Sequence, residues 1–593
     1  MKMSLGCVAL LVAIAAFAGA AEPPPLIPRP AELHLGSGRF TGVRRIRVVG
    51  GAPLATAQLL ASALASGGTT PPVEVSAQPA DGDVALELEP DAAAPEAYTL
   101  AIERTRIRLV AASAAGLARG VQTLLQLAPD FPVLSIADRP RFAWRGLMVD
   151  VARHFRDAAW LHRVLDRMAR YKLNVLHLHL TDDQGWRLRS AKFPRLTQHI
   201  RVSYTPEEIA ALVAHAARLG IQVVPEIDVP GHVTAALAAY PDLGCRSVKL
   251  PVPDTYDTFY DVLCPGSESP FVLLSGLLPE VARQFPDAPV HLGGDQVPRA
   301  RWAECPRCLA RVQREHLQNV DDLQGYFLRR VAADFHHPLM VWDDDLAHGF
   351  PPGTVVECWH GPGTVAAALD AGHDVVVTPQ TATFFDHSPL AIPLSRVLAF
   401  DPVPRGTPLV ASRRVRGGEA ALWSERLFTD ADAERALFPR LLALAEVLWA
   451  PSAPAPDEFE RRVDHERASL AAAGFAIGGV GRRVGLLTPR QLAGDWRLVR
   501  LDATPFIEGP GTYAFALGED APANVEMLAA RLTVDGEPIA QLMRQTSTLH
   551  DVDDRAYELP VARAPHGRWT LELTVRCLGA QAAMASVWVE KRQ

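Results

Sequence analysis

Several features are absent from this chain, and each absence narrows what it can do. Its 593 residues carry no basic stripe and no block of like charge, and the formal net charge is -8. Neither a nucleic-acid surface nor a solvated charged tail is indicated. Past the first twenty residues, no segment is long and apolar enough for a membrane helix. No internal repeat is visible. Cysteine is scarce, at seven residues, so disulfides cannot carry the fold, and hydrophobic burial must do so. Hydrophobic residues make up 48% and charged residues 21%, an ordinary globular balance. A chain this long exceeds one core and implies two to four domains.

The start of the chain reads as an export signal over residues 1–20. Lys2 supplies a positive charge, Val8 to Phe17 an apolar run, and Ala18-Gly19-Ala20 the small residues of a cleavage site. A membrane anchor is the alternative, but the run is short and Pro23-Pro24-Pro25 follows at once. The expectation is an exported, periplasmic or extracellular protein. Cleavage would leave Cys245, Cys264, Cys305, Cys308, Cys358 and Cys577. Disulfides Cys245–Cys264 and Cys305–Cys308 are plausible there. A zinc site is the rival reading of Cys305-Pro306-Arg307-Cys308, although one such pair without a second is a weak signal.

Three regions follow. Residues 22–139 read as a small α/β domain, with strands at Arg44–Val49, Val84–Leu88, Tyr98–Ile102 and Ile107–Val110 and helices near 54–66 and 114–127. Residues 143–475 alternate strand and helix. Candidate strands lie at 147–151, 174–180, 221–225, 289–293, 338–342, 354–358, 374–378 and 419–423. Asp157 is a natural N-cap for a helix whose Leu161, Val164, Leu165 and Met168 share one face. Thr205, Pro206 and Glu208 form a capping-box start for another, lined by Ile209, Leu212, Val213 and Ala216. Eight alternations predict a (β/α)8 TIM barrel. A doubly wound sheet is the alternative, disfavoured because no glycine-rich phosphate loop follows the first strand. Residues 485–593 read as a C-terminal β-sandwich-like domain, with strands at Trp496–Leu501, Thr512–Leu517, Ala530–Val534, Trp569–Val575 and Ala585–Val589.

Barrel enzymes act at the C-terminal ends of their strands. Here those ends bring together Asp150, Arg153 and His154; Asp182 and Asp183; Glu226, Asp228 and His232; Asp295 and Gln296; Trp342, Asp343 and Asp344; and Trp359, Trp423 and Glu425. Arg145 stands just before the first strand. Tryptophan faces stack on sugar C–H surfaces, and carboxylates and Arg bond hydroxyls, so a glycan is indicated. Plainer readings stand beside this one: any single Trp is more often core, and Arg145 with Asp150 could be a structural ion pair. His177 and His179 share a strand face. They could begin a binuclear metal site, but further ligands cannot be placed, and histidines hydrogen-bonded inside the barrel are the better expectation.

Arg145-Gly-Leu-Met-Val-Asp-Val-Ala-Arg-His-Phe155, the Asn174–Arg187 stretch, Pro225-Glu-Ile-Asp-Val-Pro-Gly-His232, Leu263-Cys-Pro-Gly266, His291-Leu-Gly-Gly-Asp295 and Phe438–Trp449 occur in that order. Together they resemble glycoside hydrolase family 20, the β-N-acetylhexosaminidases. The likeness is close over the barrel and loose over the N-terminal domain. It implies substrate-assisted, retaining cleavage of terminal β-linked GlcNAc or GalNAc, an exception to the two-carboxylate scheme, with no metal or organic cofactor. By the resemblance, Asp295 orients the acetamide. Arg145 and Glu425 hold ring hydroxyls, Trp342, Trp359 and Trp423 wall the acetamide pocket, and Asp182, His232, Asp343 and Asp386 complete the binding site.

Two positions depart from that pattern. Gln296 stands where the family carries the Glu that protonates the leaving group, and an amide has no titrating proton to give. Phe384 stands where the family carries a Tyr that bonds the acetamide oxygen. Three explanations remain open: a substitution made at 296 to trap substrate, a natural member that binds glycans without hydrolysing them, or an active variant with a relocated acid, for which Glu357 is the candidate.

Overall fold

A computed structural model describes residues 22–592 except 66–67, 76–77, 90–93, 493–495, 508, 518–524, 544–556 and 578–584. The expected export signal at 1–20 lies outside the described residues. Eight parallel strands close into a barrel: Trp144–Asp150, Val175–His179, Gln222–Glu226, Val290–His291, Leu339–Trp342, Val355–Cys358, Val375–Val377 and Val415–Leu422, here barrel strands 1 to 8. Each pairs in parallel with its sequence neighbour, and strand 8 closes on strand 1. The (β/α)8 architecture is therefore present. Strand 4 is only two residues long because Gly293 and Gly294, both at positive φ, turn the chain out immediately after it.

The helix signals act as their chemistry requires. Asp157 accepts the Trp160 N–H at 2.7 Å, and the buried face of Ala158–Arg170 includes Leu161, Val164, Leu165 and Met168. Thr205 and Glu208 cap Pro206–Arg218 reciprocally, burying Ile209, Leu212 and Ala216.

The N-terminal region is a seven-stranded mixed sheet in the order Glu32–Arg39, Pro132–Asp138, Tyr98–Ile102, Ile107–Ala111, Asp83–Leu88, Arg45–Val49, Val73–Val75. It docks on the N-terminal end of the barrel through buried charge. Lys172 Nζ bonds Asp138 at 2.8 Å, Trp449 Nε1 donates to the same carboxylate, and Arg145 bonds Glu96. Burial opposes ionisation of Glu96, but Arg145 and Arg119 outweigh it and lower its pKa to about 2.

The C-terminal region forms two four-stranded antiparallel sheets around one apolar cluster, as a sandwich requires. Three strands escaped the sequence reading: Arg482–Leu487, Glu537–Met543 and Tyr557–Val561. All three lie at sheet edges. Two of them contain Pro538 or Pro560, which edge strands tolerate and which weakens the strand signal.

Among the described residues the expected disulfides are not formed: Cys245, Cys264, Cys305 and Cys308 have no S–S bond in this structure. Their sulfurs lie 3.6 to 3.9 Å apart in the contacts Cys264–Cys308, Cys245–Cys308 and Cys264–Cys305, far beyond the roughly 2.0 Å of an S–S bond. Among the described residues, no helix is long and apolar enough to cross a membrane.

Candidate functional site

A cavity of about 510 Å³ opens at the C-terminal end of the barrel. Arg153, His232, Asp295, Gln296, Trp342, Trp359, Phe384, Asp386, Trp423 and Glu425 line it, joined by Tyr256, Asp257 and Thr258 from the long loop after strand 3 and by Gln380, His387 and Arg426.

Asp295 reaches the cavity because the turn after strand 4 is sharply constrained. Gly293 sits at φ +63°, and a Cβ there would lie 1.9 Å from Asp228 Oδ1. Asp228 Oδ1 in turn accepts the Gly294 N–H at 2.9 Å. Asp295 is 9% exposed, and its Oδ1 is buried with no hydrogen-bond partner among the described residues. Its Oδ2 faces His232 Nε2 at 3.6 Å. An unpaired buried carboxylate oxygen is costly, and the Asp295 carboxylate, which lines the cavity, can accept an N–H from a ligand.

Behind Asp295 runs a charged relay. His232 Nδ1 lies 3.3 Å from Asp182 Oδ1, and Arg153 Nη2 lies 2.8 Å from Asp182 Oδ2. Burial works against the charge on His232, yet Asp182 and Asp295 overcome it and hold its pKa well above the ordinary value. Burial likewise opposes the Asp182 carboxylate, but Arg153 and His232 prevail and keep it well below the usual range. Asp182 therefore stands one layer behind the cavity wall and fixes the cations that face it.

The aromatic wall is continuous. Trp342 and Trp423 have ring centroids 6.0 Å apart, Phe384 and Trp423 6.2 Å, and Trp359 stacks on Phe384 at 6.0 Å with an interplanar angle of 21°. Trp342 is pinned by its Nε1–H donating to Glu226 at 2.9 Å, and Trp359 by its Nε1–H donating to Asp344 at 2.8 Å. Asp386 also lines the cavity; burial pushes its carboxyl up to about 7, and its Oδ1 has no partner among the described residues. Burial also raises Glu425, against the pull of Arg153, whose Nε lies 3.4 Å away.

Gln296 is exposed at the rim, in the left-handed region at φ +49°. Its backbone N–H donates to Asp344 Oδ1 at 2.9 Å. Asp344 is thus bonded to two pocket residues, Gln296 and Trp359. Burial, then the nearby Asp295 charge, raises its pKa to about 7.

Four expectations need correction, the first being Asp182, which was expected in the binding site but does not line the cavity and acts from behind its wall. Arg145 is not at this site. It is the second residue of strand 1, so its side chain emerges at the opposite end of the barrel, where it bonds Glu96 and the carbonyls of Phe142 and Lys172. The arginine at the cavity is Arg153, beyond the C-terminal end of the same strand, and its guanidinium sits 5.1 Å from the Trp423 ring. Asp343 is buried and bonded to His360 at 2.8 Å; it does not line the cavity, whereas its neighbour Asp344 braces the wall. Glu357, the candidate relocated acid, is fully buried inside the barrel and bonded to Thr378 at 2.6 Å, out of reach of the cavity.

His177 and His179 are hydrogen-bonded inside the barrel, at 2.9 Å to Glu419 and 2.6 Å to Glu226. Burial counts against protonating His177, but Glu226 and Glu419 raise its pKa to about 10. Three histidines lie in this region, and His291 goes the other way: burial lowers it to about 3.

With this geometry in view, the comparisons are decisive. The profile described as "Glycosyl hydrolase family 20, catalytic domain" matches residues 142–452, and that of "Glycosyl hydrolase family 20, domain 2" matches residues 23–139. The chain belongs to glycosyl hydrolase family 20. A Porphyromonas gingivalis relative named "Beta-hexosaminidase" is 35% identical over 453 residues, 69% of this chain but 58% of the relative. The Cellulomonas fimi "Beta-N-acetylhexosaminidase" is 35% identical over 474 residues, covering 74% of this chain and 92% of the relative. Among solved structures, the Bacteroides fragilis β-N-acetylhexosaminidase is similar with TM-score 0.69 and 28% identity, over 76% of this chain and 96% of that one. The Vibrio harveyi exo-β-N-acetylglucosaminidase in complex with N-acetylglucosamine is similar with TM-score 0.67 and 27% identity, over 77% and 78%.

Proposed function

We propose that this family 20 chain binds a terminal β-linked N-acetylhexosamine, GlcNAc or GalNAc, in the tryptophan-walled cavity and cleaves it by a substrate-assisted, retaining route with impaired leaving-group protonation. One observation carries the reading: Asp295, whose Oδ1 has no hydrogen-bond partner among the described residues, lines an aromatic cavity. An acetamido group satisfies both features at once, its N–H on the carboxylate and its methyl against the indoles. The names of the relatives, β-hexosaminidases, support it.

In that pose Asp295 holds the acetamide N–H and turns the carbonyl oxygen toward the anomeric carbon. That oxygen bonds to the anomeric carbon as the glycosidic bond breaks; the bond's electron pair leaves on the departing oxygen, which takes its proton from solvent water, and a water molecule later adds to the anomeric carbon, opening the cyclic intermediate and releasing a proton to solvent. The Asp295 charge stabilises the positive charge that develops. His232, itself held by Asp182, keeps Asp295 oriented. Arg153, Glu425 and Asp386 supply hydroxyl contacts. Gln296 can bond the departing oxygen but cannot protonate it. Phe384 offers no hydroxyl to the acetamide oxygen.

Loss of a general acid costs roughly 10²–10⁴-fold, and less where the leaving group needs no proton. A nitrophenyl N-acetylglucosaminide should therefore be cleaved far better, relative to chitobiose, than by a family member with Glu at this position. Equal impairment on both substrates would reject the acid-loss account. The second reading, a glycan-binding protein without turnover, is favoured by having both departures, Gln296 and Phe384, at the reacting centre. Binding of N-acetylglucosamine with no turnover of either substrate would establish it.

A further inference from the structure

We propose that Cys245, Cys264, Cys305 and Cys308 form a structural zinc site that staples the loop after barrel strand 3 to the loop after barrel strand 4. All four sulfurs lie within 4.8 Å of one another. Three of the separations are 3.6, 3.8 and 3.9 Å. Four thiolates at the Zn–S distance of about 2.3 Å define a regular tetrahedron with edges of about 3.8 Å. The observed spacing is therefore that of a tetrahedral S4 shell. It is too wide for a disulfide and closer than four unlinked thiols require. Soft thiolate donors in this geometry select zinc or iron; we commit to zinc.

The surrounding chain is built to hold the four together. Gly266 lets the Cys264 turn press onto Cys305-Pro306-Arg307-Cys308, since a Cβ there would lie 2.3 Å from the Arg307 carbonyl carbon and 2.4 Å from the Cys308 nitrogen. The Gly266 backbone bonds the Cys308 sulfur. Arg307 bonds the carbonyls of Gly244 and Cys245 at 3.0 and 3.1 Å and places a cation beside a centre that carries net negative charge once metallated. Cys264, Cys305 and Cys308 sit in a small apolar cluster with Val262, Trp302 and Leu323, separate from the barrel core. So small a cluster gains most from a metal cross-link. The site lies outside the cavity, and no step of the proposed reaction passes through the metal. Its effect is on the loop that leaves strand 4 carrying Asp295 and Gln296.

The test is metal analysis of the full-length protein purified without added zinc or chelator. One zinc per chain by plasma mass spectrometry, released stoichiometrically when an organomercurial titrates the thiols, is the expected result. Cobalt reconstitution should give thiolate charge-transfer bands and the intense visible bands of a tetrahedral site. The variant Cys305→Ser/Cys308→Ser should lose the zinc. The wild-type assays stand even if that variant does not fold. Non-reducing peptide mapping that finds Cys245–Cys264 and Cys305–Cys308 linked would overturn the proposal, as would iron in place of zinc or four free thiols that take up no zinc. None of these results bears on whether the cavity binds an acetamido sugar.

Discussion

Restoring a carboxyl at position 296 is the perturbation with the largest expected effect. Gln296→Glu changes one amide to a carboxyl of the same shape at an exposed rim position, with the backbone N–H still held by Asp344 at 2.9 Å. The new group would face Asp295 and Asp344, and two neighbouring carboxylates favour its protonated form. A positioned general acid is worth roughly 10²–10⁴-fold, or about 3–5 kcal/mol of barrier. Phe384 withholds part of that gain, because a missing hydrogen bond to the acetamide oxygen costs about 0.5–1.5 kcal/mol. The net expectation is a gain of at least roughly tenfold in kcat/KM on chitobiose and a much smaller gain on the nitrophenyl glycoside. Steady-state kinetics on the two substrates read this directly, with calorimetry on N-acetylglucosamine as a control that binding is unchanged. No gain on chitobiose, or equal gains on both substrates, would refute the reasoning that protonation is the missing step.

Other outcomes follow from the same geometry. Adding Phe384→Tyr to Gln296→Glu should raise kcat/KM on chitobiose by a further ~3–10-fold; a loss would mean that the ring cannot carry a hydroxyl between Trp359 and Trp423. Arg145→Ala should lower the unfolding free energy by about 1–3 kcal/mol, because it removes one of the two arginines paired with half-buried Glu96 and leaves only Arg119. Arg153→Ala also removes the partner of buried Asp150 and Asp182, and should in addition weaken binding of N-acetylglucosamine at least roughly tenfold. Calorimetry separates the two, and weakened binding in Arg145→Ala but not in Arg153→Ala would put the wrong arginine at the site. Asp344, raised to about 7, is neutral at pH 5 and ionised beside Asp295 at pH 8, so its contribution to stability falls as pH rises through that range. Asp344→Asn should therefore raise Tm relative to wild type at pH 8 more than at pH 5; the same difference at both pH values would discard that assignment.

The barrel was legible because each strand is a short apolar run ending in polar residues, and because two helix starts carry caps strong enough to read directly. The site was less so. Arg145 and Arg153 sit in one motif, and the resemblance alone favoured the first. The rule that barrels act at the C-terminal ends of strands would have favoured Arg153, since Arg145 opens strand 1 and Arg153 follows it. Asp343 and Asp344 could not be separated by alternation because strand 5 ends at Trp342 and the chain turns into a 3-10 helix at Asp343. Tyr256, Asp257 and Thr258 come from a long loop without regular structure, which periodicity does not place. Cys245 and Cys264 come from the connection after strand 3, and Cys305 and Cys308 from the start of helix Pro306–Arg314 after strand 4, so their meeting depends on how the two connections fold back on each other. Linear spacing therefore offered pairs rather than a tetrahedron.

The most direct trial of the whole account is calorimetric titration of the wild-type protein with N-acetylglucosamine and with glucose, repeated for Asp295→Ala. A site built around an acetamide should prefer N-acetylglucosamine by at least roughly tenfold, since glucose leaves the buried carboxylate oxygen unpaired, and the preference should vanish in Asp295→Ala. Equal affinity for both sugars in the wild type, or a preference that survives Asp295→Ala, would contradict it.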